Sequence, residues 1–186
     1  MTEINNVRKN GKRPFEAGPG RPRLALVGSP NVGKSSLFNR LTNSYLIVSN
    51  YPGTTVEVSR GQARIGEVEF EVIDTPGLYS LLPLTEEERV ARDILRLERP
   101  ELVLHVIDAK NLERMLPLTL QLREAGLSLV LVLNIMDDAE KLGLRIDLER
   151  LERELGLPAA ATVSTTGRGI DKLKEIILTA HEQRKT

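Results

Sequence analysis

The chain of 186 residues contains no cysteine. That excludes disulfides, thiolate nucleophiles and cysteine-based metal centres, and it fits a reducing compartment. Only two histidines are present, His105 and His181, too far apart in sequence to suggest a transition-metal cluster. His105 falls among apolar neighbours and reads as a packed neutral side chain, whereas His181 near the chain end reads as solvated. Net charge is absent too: 26 Lys and Arg balance 26 Asp and Glu, so no global field points to nucleic acid or a membrane surface. The longest mainly apolar stretch, Leu127 to Leu133, is far short of the about 20 residues needed to cross a bilayer. The first residues lack the apolar core of a secretory signal. What is present is ordinary for a soluble domain, with 40% apolar and 28% charged residues and enough length for one hydrophobic core. The expectation is a cytoplasmic protein without a membrane span.

Residues 1–22 are polar and rich in Gly and Pro, and read as a disordered basic arm preceding a domain over 23–184. From Arg23 onward, strand and helix patterns alternate. Leu24 to Val27 reads as a short buried strand, and Lys34 to Leu41 opens a helix. Val56 to Val58, Ala63 to Ile65 and Val68 to Val72 alternate apolar and polar residues at period two, with Gly66-Glu67 as a tight hairpin turn. Thr85 to Glu88 forms a capping-box pattern opening a helix that ends before Pro100, and its charges, Glu86 to Arg89, read as an exposed face. Leu102 to Ile107 and Leu127 to Leu133 read as strands buried on both faces, with a helix between them closed by Gly126. Asp147 caps a further helix stopped by Gly156, Ala159 to Val163 is a last strand, and Ile170 to Ile177 carries the apolar stripe of a final helix. This alternation predicts an α/β fold with a mostly parallel six-stranded sheet, one antiparallel edge strand, and helices on both faces.

The chemistry-bearing segments sit at strand ends. Gly28-Ser-Pro-Asn-Val-Gly33-Lys34-Ser35 follows the first strand and opens a helix, the setting of a phosphate loop. Gly28 and Gly33 let backbone N–H groups, including that of Val32, turn toward phosphate oxygens near the positive end of the helix. Lys34 supplies a charge for the β- and γ-phosphates, Ser35 a hydroxyl for Mg²⁺, and Ser36 continues the helix beside the site. Asp74 ends a strand and can hold Mg²⁺ through water, while the Gly77 N–H can reach the γ-phosphate. Thr55 is the candidate switch ligand to Mg²⁺, with Thr54 as its competitor.

Asn134-Ile-Met-Asp137 follows a buried strand, where open parallel sheets place ligand-contacting loops. A carboxylate at Asp137 suits the N1–H and exocyclic amine of guanine, and would leave buried polar groups unpaired against adenine. Asn134 is expected to tie this loop to the phosphate loop. Ser164 and Thr165, after the last strand, offer a backbone N–H to the guanine O6. The ordered set predicts GTP and GDP as ligands on a P-loop NTPase scaffold with a Ras-like GTPase fold.

Beyond the shared pocket, several linking segments resemble the GTPase domain of the ferrous-iron transport protein B family. They are Ser49 to Glu57, Asp74 to Leu81, Asn134 to Asp137, Gly143 to Asp147, Leu155 to Pro158 and, most specifically, Asp108 to Leu122. The resemblance spans about Arg23 to Glu182; Thr75 and Pro117 depart from the family pattern. It implies a GTP-hydrolysing switch with a membrane permease as partner, placing the domain at the inner face of the cell membrane. It also implies K⁺ held by Asn31 beside the phosphates as a substitute for an arginine finger. Asn31, Lys34, Thr55 and Gly77 are then the catalytic set. Leu78 stands where many GTPases carry a water-orienting glutamine, so slow intrinsic turnover is expected. Arg60 and Arg64 remain as arginine-finger candidates, and self-association stays open. The competing readings are a freestanding cation-stimulated GTPase of the ribosome- or RNA-associated type, for which no basic excess speaks, and a non-hydrolysing nucleotide sensor.

Overall fold

The computed structural model describes residues 20–42 and 44–185. The arm expected over 1–22 lies outside the described residues up to position 19. From there the chain enters the sheet directly: the Pro22 carbonyl accepts from the Glu71 N–H at 3.0 Å, and Arg21 pairs with Glu69 at 3.1 Å.

Seven strands form one sheet. In chain order they are β1 (Arg23–Val27), β2 (Ser44–Asn50), β3 (Glu57–Ile65), β4 (Val68–Asp74), β5 (Leu102–Asp108), β6 (Leu129–Asn134) and β7 (Ala159–Ala161). Their spatial order is β2-β3-β4-β1-β5-β6-β7. β4, β1, β5, β6 and β7 run parallel, while β3 is antiparallel to both β2 and β4. The helices are α1 (Lys34–Leu41), α2 (Glu86–Asp93, continued by a π-helical turn Ile94–Glu98), α3 (Leu112–Glu124, preceded by a 3₁₀ turn Ala109–Asn111), α4 (Met136–Lys141), α5 (Leu148–Leu155) and α6 (Ile170–Lys185).

The α/β architecture is as expected, but the sheet has seven strands and two antiparallel pairings instead of six and one. The additional strand is β2. It lies at the sheet edge with Leu46 57% and Val48 49% exposed, so no buried face imposes an apolar alternation on its sequence. The segments 56–58, from Glu57 onward, and 63–65 belong to the single strand β3, whose polar middle, Arg60 to Gln62, hides its continuity.

Period-two alternation in β1 divides the core. Leu24 and Leu26 face α1 and α6, packing with Leu37, Phe38, Leu41, Leu173 and Ile177. Ala25 and Val27 face α2 and α3, packing with Ala91, Leu118 and Leu122. Parallel strands covered on both faces in this way bury every residue of β1 after Arg23, which explains its unbroken apolar run. Thr85 closes the expected capping box on α2: its hydroxyl accepts from the Glu88 N–H, and Glu88 accepts from the Thr85 N–H.

Other expectations are revised by tertiary contacts. His105 is buried as expected, with Nδ1 2.9 Å from the Thr119 hydroxyl, and burial holds its pKa down at about 3, with the Lys34 charge adding to the shift. His181, expected in solvent, is instead buried at 3% exposure, bonded to the Glu101 carboxylate and edge-on to Phe70 with ring centroids 5.2 Å apart. Among the charges of α2, Glu88 is buried, unlike its neighbours Glu86, Glu87 and Arg89. No helix among the described residues is long and apolar enough to cross a membrane.

Candidate functional site

β1, β4 and β6 all end at the same edge of the sheet, the carboxyl edge where α/β folds bind ligands. The loop from Gly28 to Gly33 connects β1 to α1 there, and its shape depends on glycine at two points. At Gly28 a Cβ would stand 2.1 Å from the Val106 carbonyl oxygen of β5, and at Gly33, with φ 86°, 2.3 Å from Asn134 Nδ2. Any larger residue would force the phosphate loop away from β5 at Gly28 and from the end of β6 at Gly33.

Lys34 is buried, and its Nζ donates to the carbonyls of Gly28 and Ser29, both at 3.0 Å. Burial lowers its pKa, while the carboxylate of Asp74 opposes that shift. Ser35 Oγ donates to Asp74 Oδ2 at 2.8 Å, and Asp74 Oδ1 is buried with no hydrogen-bond partner among the described residues. An orphaned carboxylate oxygen next to a serine hydroxyl is a hard-oxygen donor set of the kind Mg²⁺ takes, directly or through water. Burial raises the Asp74 pKa, with the Ser35 hydrogen bond and the Lys34 charge acting against it.

After Asp74 the chain turns over the phosphate loop. Thr75 Oγ1 donates to the Leu26 carbonyl at 2.7 Å, which satisfies a hydroxyl at a buried position. Gly77 lies against Pro30, where a Cβ would be 2.6 Å from the proline ring. The Leu78 N–H donates to the Gly28 carbonyl at 3.1 Å, and the Leu78 side chain is fully buried between Ala25, Val27, Ala91 and Leu95. The next residues are fastened by two side chains. Glu88 accepts from the backbone N–H groups of Tyr79 (3.3 Å), Leu84 (2.8 Å) and Thr85 (3.3 Å). Gln121 of α3 accepts from Ser80 Oγ at 3.2 Å and from the Leu81 N–H at 2.9 Å.

At the other end of the edge, Asn134 does what its position predicts. Its Nδ2 donates to the Val32 carbonyl at 2.9 Å, joining β6 to the phosphate loop. Its Oδ1 accepts from Thr162 Oγ1 (3.0 Å), the Ser164 N–H (3.0 Å) and Ser164 Oγ (2.8 Å). Ser164 therefore supports Asn134, and the Thr165 N–H is left without an acceptor among the described residues. Asp137 stands in the first turn of α4, half-exposed and 3.6 Å from Lys141. Asp138 binds both Lys110 (3.1 Å) and Lys141 (3.0 Å), so Lys141 is shared between Asp137 and Asp138. Asn31, Gly33, Ser36, Asn134, Asp137 and Thr165 line one cavity of about 250 Å³.

The two switch threonines are not joined to this cluster by any hydrogen bond among the described residues. Thr54 Oγ1 donates to the Tyr51 carbonyl at 2.9 Å and accepts from the Val56 N–H at 3.2 Å, whereas Thr55 is exposed. Asn31, at φ 64°, is exposed and its side chain makes no hydrogen bond among the described residues. Arg60 is held by Glu71 (3.0 Å) and Glu98 (2.6 Å), and Arg64 by Glu67 at the hairpin (3.1 Å), so both arginine-finger candidates are engaged elsewhere. Motif reading missed Thr162 and Arg40, whose Nε donates to the Ser164 carbonyl at 2.8 Å. Neither stands in a motif, and Arg40 reaches the site only through folding, 124 residues from Ser164 in sequence.

Comparison with known proteins agrees with this geometry. Residues 22–177 match the family model described as ferrous iron transport protein B. The chain is 47% identical over 163 residues to an Fe(2+) transport protein A/Fe(2+) transporter FeoB fusion protein of Porphyromonas gingivalis, covering 87% of this chain and 19% of that protein. It is 42% identical over 155 residues to the Fe(2+) transporter FeoB of Escherichia coli, covering 81% of this chain and 20% of that one. The chain thus spans about a fifth of the length of these relatives. Among solved structures, the FeoB G-domain from Methanococcus jannaschii superposes with a TM-score of 0.76 at 40% identity, covering 87% of this chain and 98% of that one. The cytosolic domain of T. maritima FeoB in a GDP form gives 0.82 at 40% identity, covering 86% and 63%. With a P-loop GTPase fold and matches along nearly its whole described length, this chain belongs to the ferrous iron transport protein B family and corresponds to its G domain.

Proposed function

We propose that this domain binds GTP and GDP, hydrolyses GTP slowly, and acts as the nucleotide switch that governs ferrous-iron passage through a membrane permease. One observation carries the reading: Asn134 bonds at the same time to Val32 of the phosphate loop and to Thr162 and Ser164 of the loop that follows β7. A single side chain thereby makes a phosphate site and a purine site into one pocket. The relatives solved with GDP and GMPPNP support the same ligand class.

Lys34 neutralises charge on the β- and γ-phosphates, and its carbonyl partners hold the ammonium group in place for that task. Ser35, Asp74 and the switch hydroxyl of Thr55 would hold Mg²⁺, which supplies further charge neutralisation between the phosphates. The Gly77 N–H donates to the γ-phosphate. Asp137 accepts from the guanine N1–H and amine, and the Thr165 N–H donates to O6. Leu78 cannot orient water, so the chemical step relies on charge, and the unbonded side chain of Asn31 is the group that would retain K⁺ beside the phosphates.

Calorimetry with GDP, GTP and ATP on the wild type and Asp137→Ala tests the base assignment. We expect a guanine preference in the wild type that the variant loses; an unchanged preference refutes it. Multiple-turnover phosphate release in KCl against NaCl at equal ionic strength tests the cation, with equal rates removing it.

A further inference from the structure

Arg40 has no role in any phosphate- or base-binding motif, yet it reaches across the pocket. It stands in the last turn of α1, the helix that begins with Lys34. Its Nε donates to the Ser164 carbonyl at 2.8 Å, and its Nη2 donates to the Thr165 carbonyl, 125 residues away in sequence. Arg40 makes no ion pair among the described residues, so these two carbonyls are the partners of its guanidinium.

The consequence lies in one peptide group. Ser164 C=O and Thr165 N–H belong to the same peptide unit, and the described residues contain no cis bond. In a trans unit the carbonyl and the N–H point to opposite sides of the chain. With the carbonyl drawn toward Arg40, the Thr165 N–H is turned the other way. The residue before it is pinned independently, since the Ser164 N–H and hydroxyl both bind Asn134 Oδ1. A charged donor on the carbonyl also polarises the peptide group and strengthens its N–H as a donor.

We infer that Arg40 is a positioning residue for base recognition: it aims the Thr165 N–H at the six-position carbonyl of the bound purine. The inference rests on the guanine reading proposed above. It assigns part of the base selectivity to the phosphate-side helix, so that the two halves of the pocket are joined by Arg40 as well as by Asn134.

The test compares dissociation constants for GDP, 6-thio-GDP and IDP, with Mg²⁺, on wild type, Arg40→Ala and Arg40→Lys. Replacing the six-position oxygen by sulfur weakens the acceptor facing Thr165 and leaves the edge facing Asp137 intact; IDP lacks only the amine that faces Asp137. For one well-placed backbone hydrogen bond, the wild type should prefer GDP to 6-thio-GDP about tenfold. Arg40→Ala should shrink that preference to about threefold or less, with Arg40→Lys between, while the GDP-to-IDP ratio stays constant. An equal loss for all three ligands would mean that Arg40 only props up the fold, and would overturn the inference. So would unchanged ratios in Arg40→Ala, or a wild type that separates GDP from IDP but not from 6-thio-GDP. A wild type that fails to separate GDP from IDP would instead bring down the guanine reading, and this inference with it.

Discussion

Ser35 Oγ lies 2.8 Å from Asp74 Oδ2, while the other oxygen of the same carboxylate is buried with no partner among the described residues. The phosphate end of the pocket thus contains one anionic oxygen whose hydrogen-bonding capacity is unmet by the described residues. A divalent cation or its bound water would meet it. Burial raises the Asp74 pKa, and cation binding requires the carboxylate, so the sign is fixed. Mg²⁺-dependent GDP affinity should fall with acidification, starting at a pH above that at which an ordinary aspartate takes up its proton. Asp74→Asn should lose the Mg²⁺ dependence and its pH sensitivity together. Titration calorimetry with and without Mg²⁺ checks both; an Asp74→Asn protein with wild-type Mg²⁺ dependence contradicts the assignment.

Asn134→Ala removes a partner from the Val32 carbonyl, the Thr162 hydroxyl and two donors of Ser164. Leaving buried polar groups unsatisfied is expensive, and a loss of about 3 kcal/mol is expected. Urea unfolding of the nucleotide-free protein measures it. A loss below about 1 kcal/mol would mean that the groups find other partners.

Leu78→Gln places an amide where glutamine serves many GTPases, but here the position is fully buried against Ala25, Val27 and Leu95. The side chain cannot reach the γ-phosphate without leaving the core, and burying the amide there costs about 1–3 kcal/mol. Hydrolysis should not accelerate, and the melting temperature should fall. A variant that hydrolyses GTP about tenfold faster at unchanged stability would show that the segment repacks.

His105 gives a pH dependence with a definite sign. Its folded pKa of about 3 lies below the unfolded value of 6.5, first because of burial and then because of Lys34. Between these values the unfolded chain binds a proton that the folded protein refuses. Stability from this group is therefore fully present above 6.5 and falls as pH drops toward about 3, by about 1.4 kcal/mol per pH unit. His105→Gln, which keeps a partner for Thr119, should lack that slope. Stability curves of the two proteins that stay parallel from pH 6.5 to 4 would refute the assignment.

Local motifs made much of the site legible in the sequence. Gly28 to Ser35, Asp74 to Gly77 and Asn134 to Asp137 each carry their constraint within a few residues, and each falls at the end of a patterned strand. β2 was invisible because an edge strand with exposed Leu46 and Val48 need not alternate. The burial of His181 is not legible in the sequence because its surroundings come from Phe70 and Glu101, the latter 80 residues away. Glu88 looked like one charge among several, since nothing local reveals that its carboxylate turns back onto Tyr79, Leu84 and Thr85. Arg40 is the extreme case, its partners lying on the far side of the domain in sequence.

In the stretch that follows Leu78, two acceptor side chains from the flanking helices, Glu88 and Gln121, receive donors from five residues. Such a strap does not fray link by link. Withdraw Glu88 and three peptide N–H groups, those of Tyr79, Leu84 and Thr85, lose their acceptor at once; withdraw Gln121 and the Leu81 N–H and the Ser80 hydroxyl do. The ribbon is thus tied to two different helices, α2 through Glu88 and α3 through Gln121, so each helix position is felt in the segment that follows Gly77.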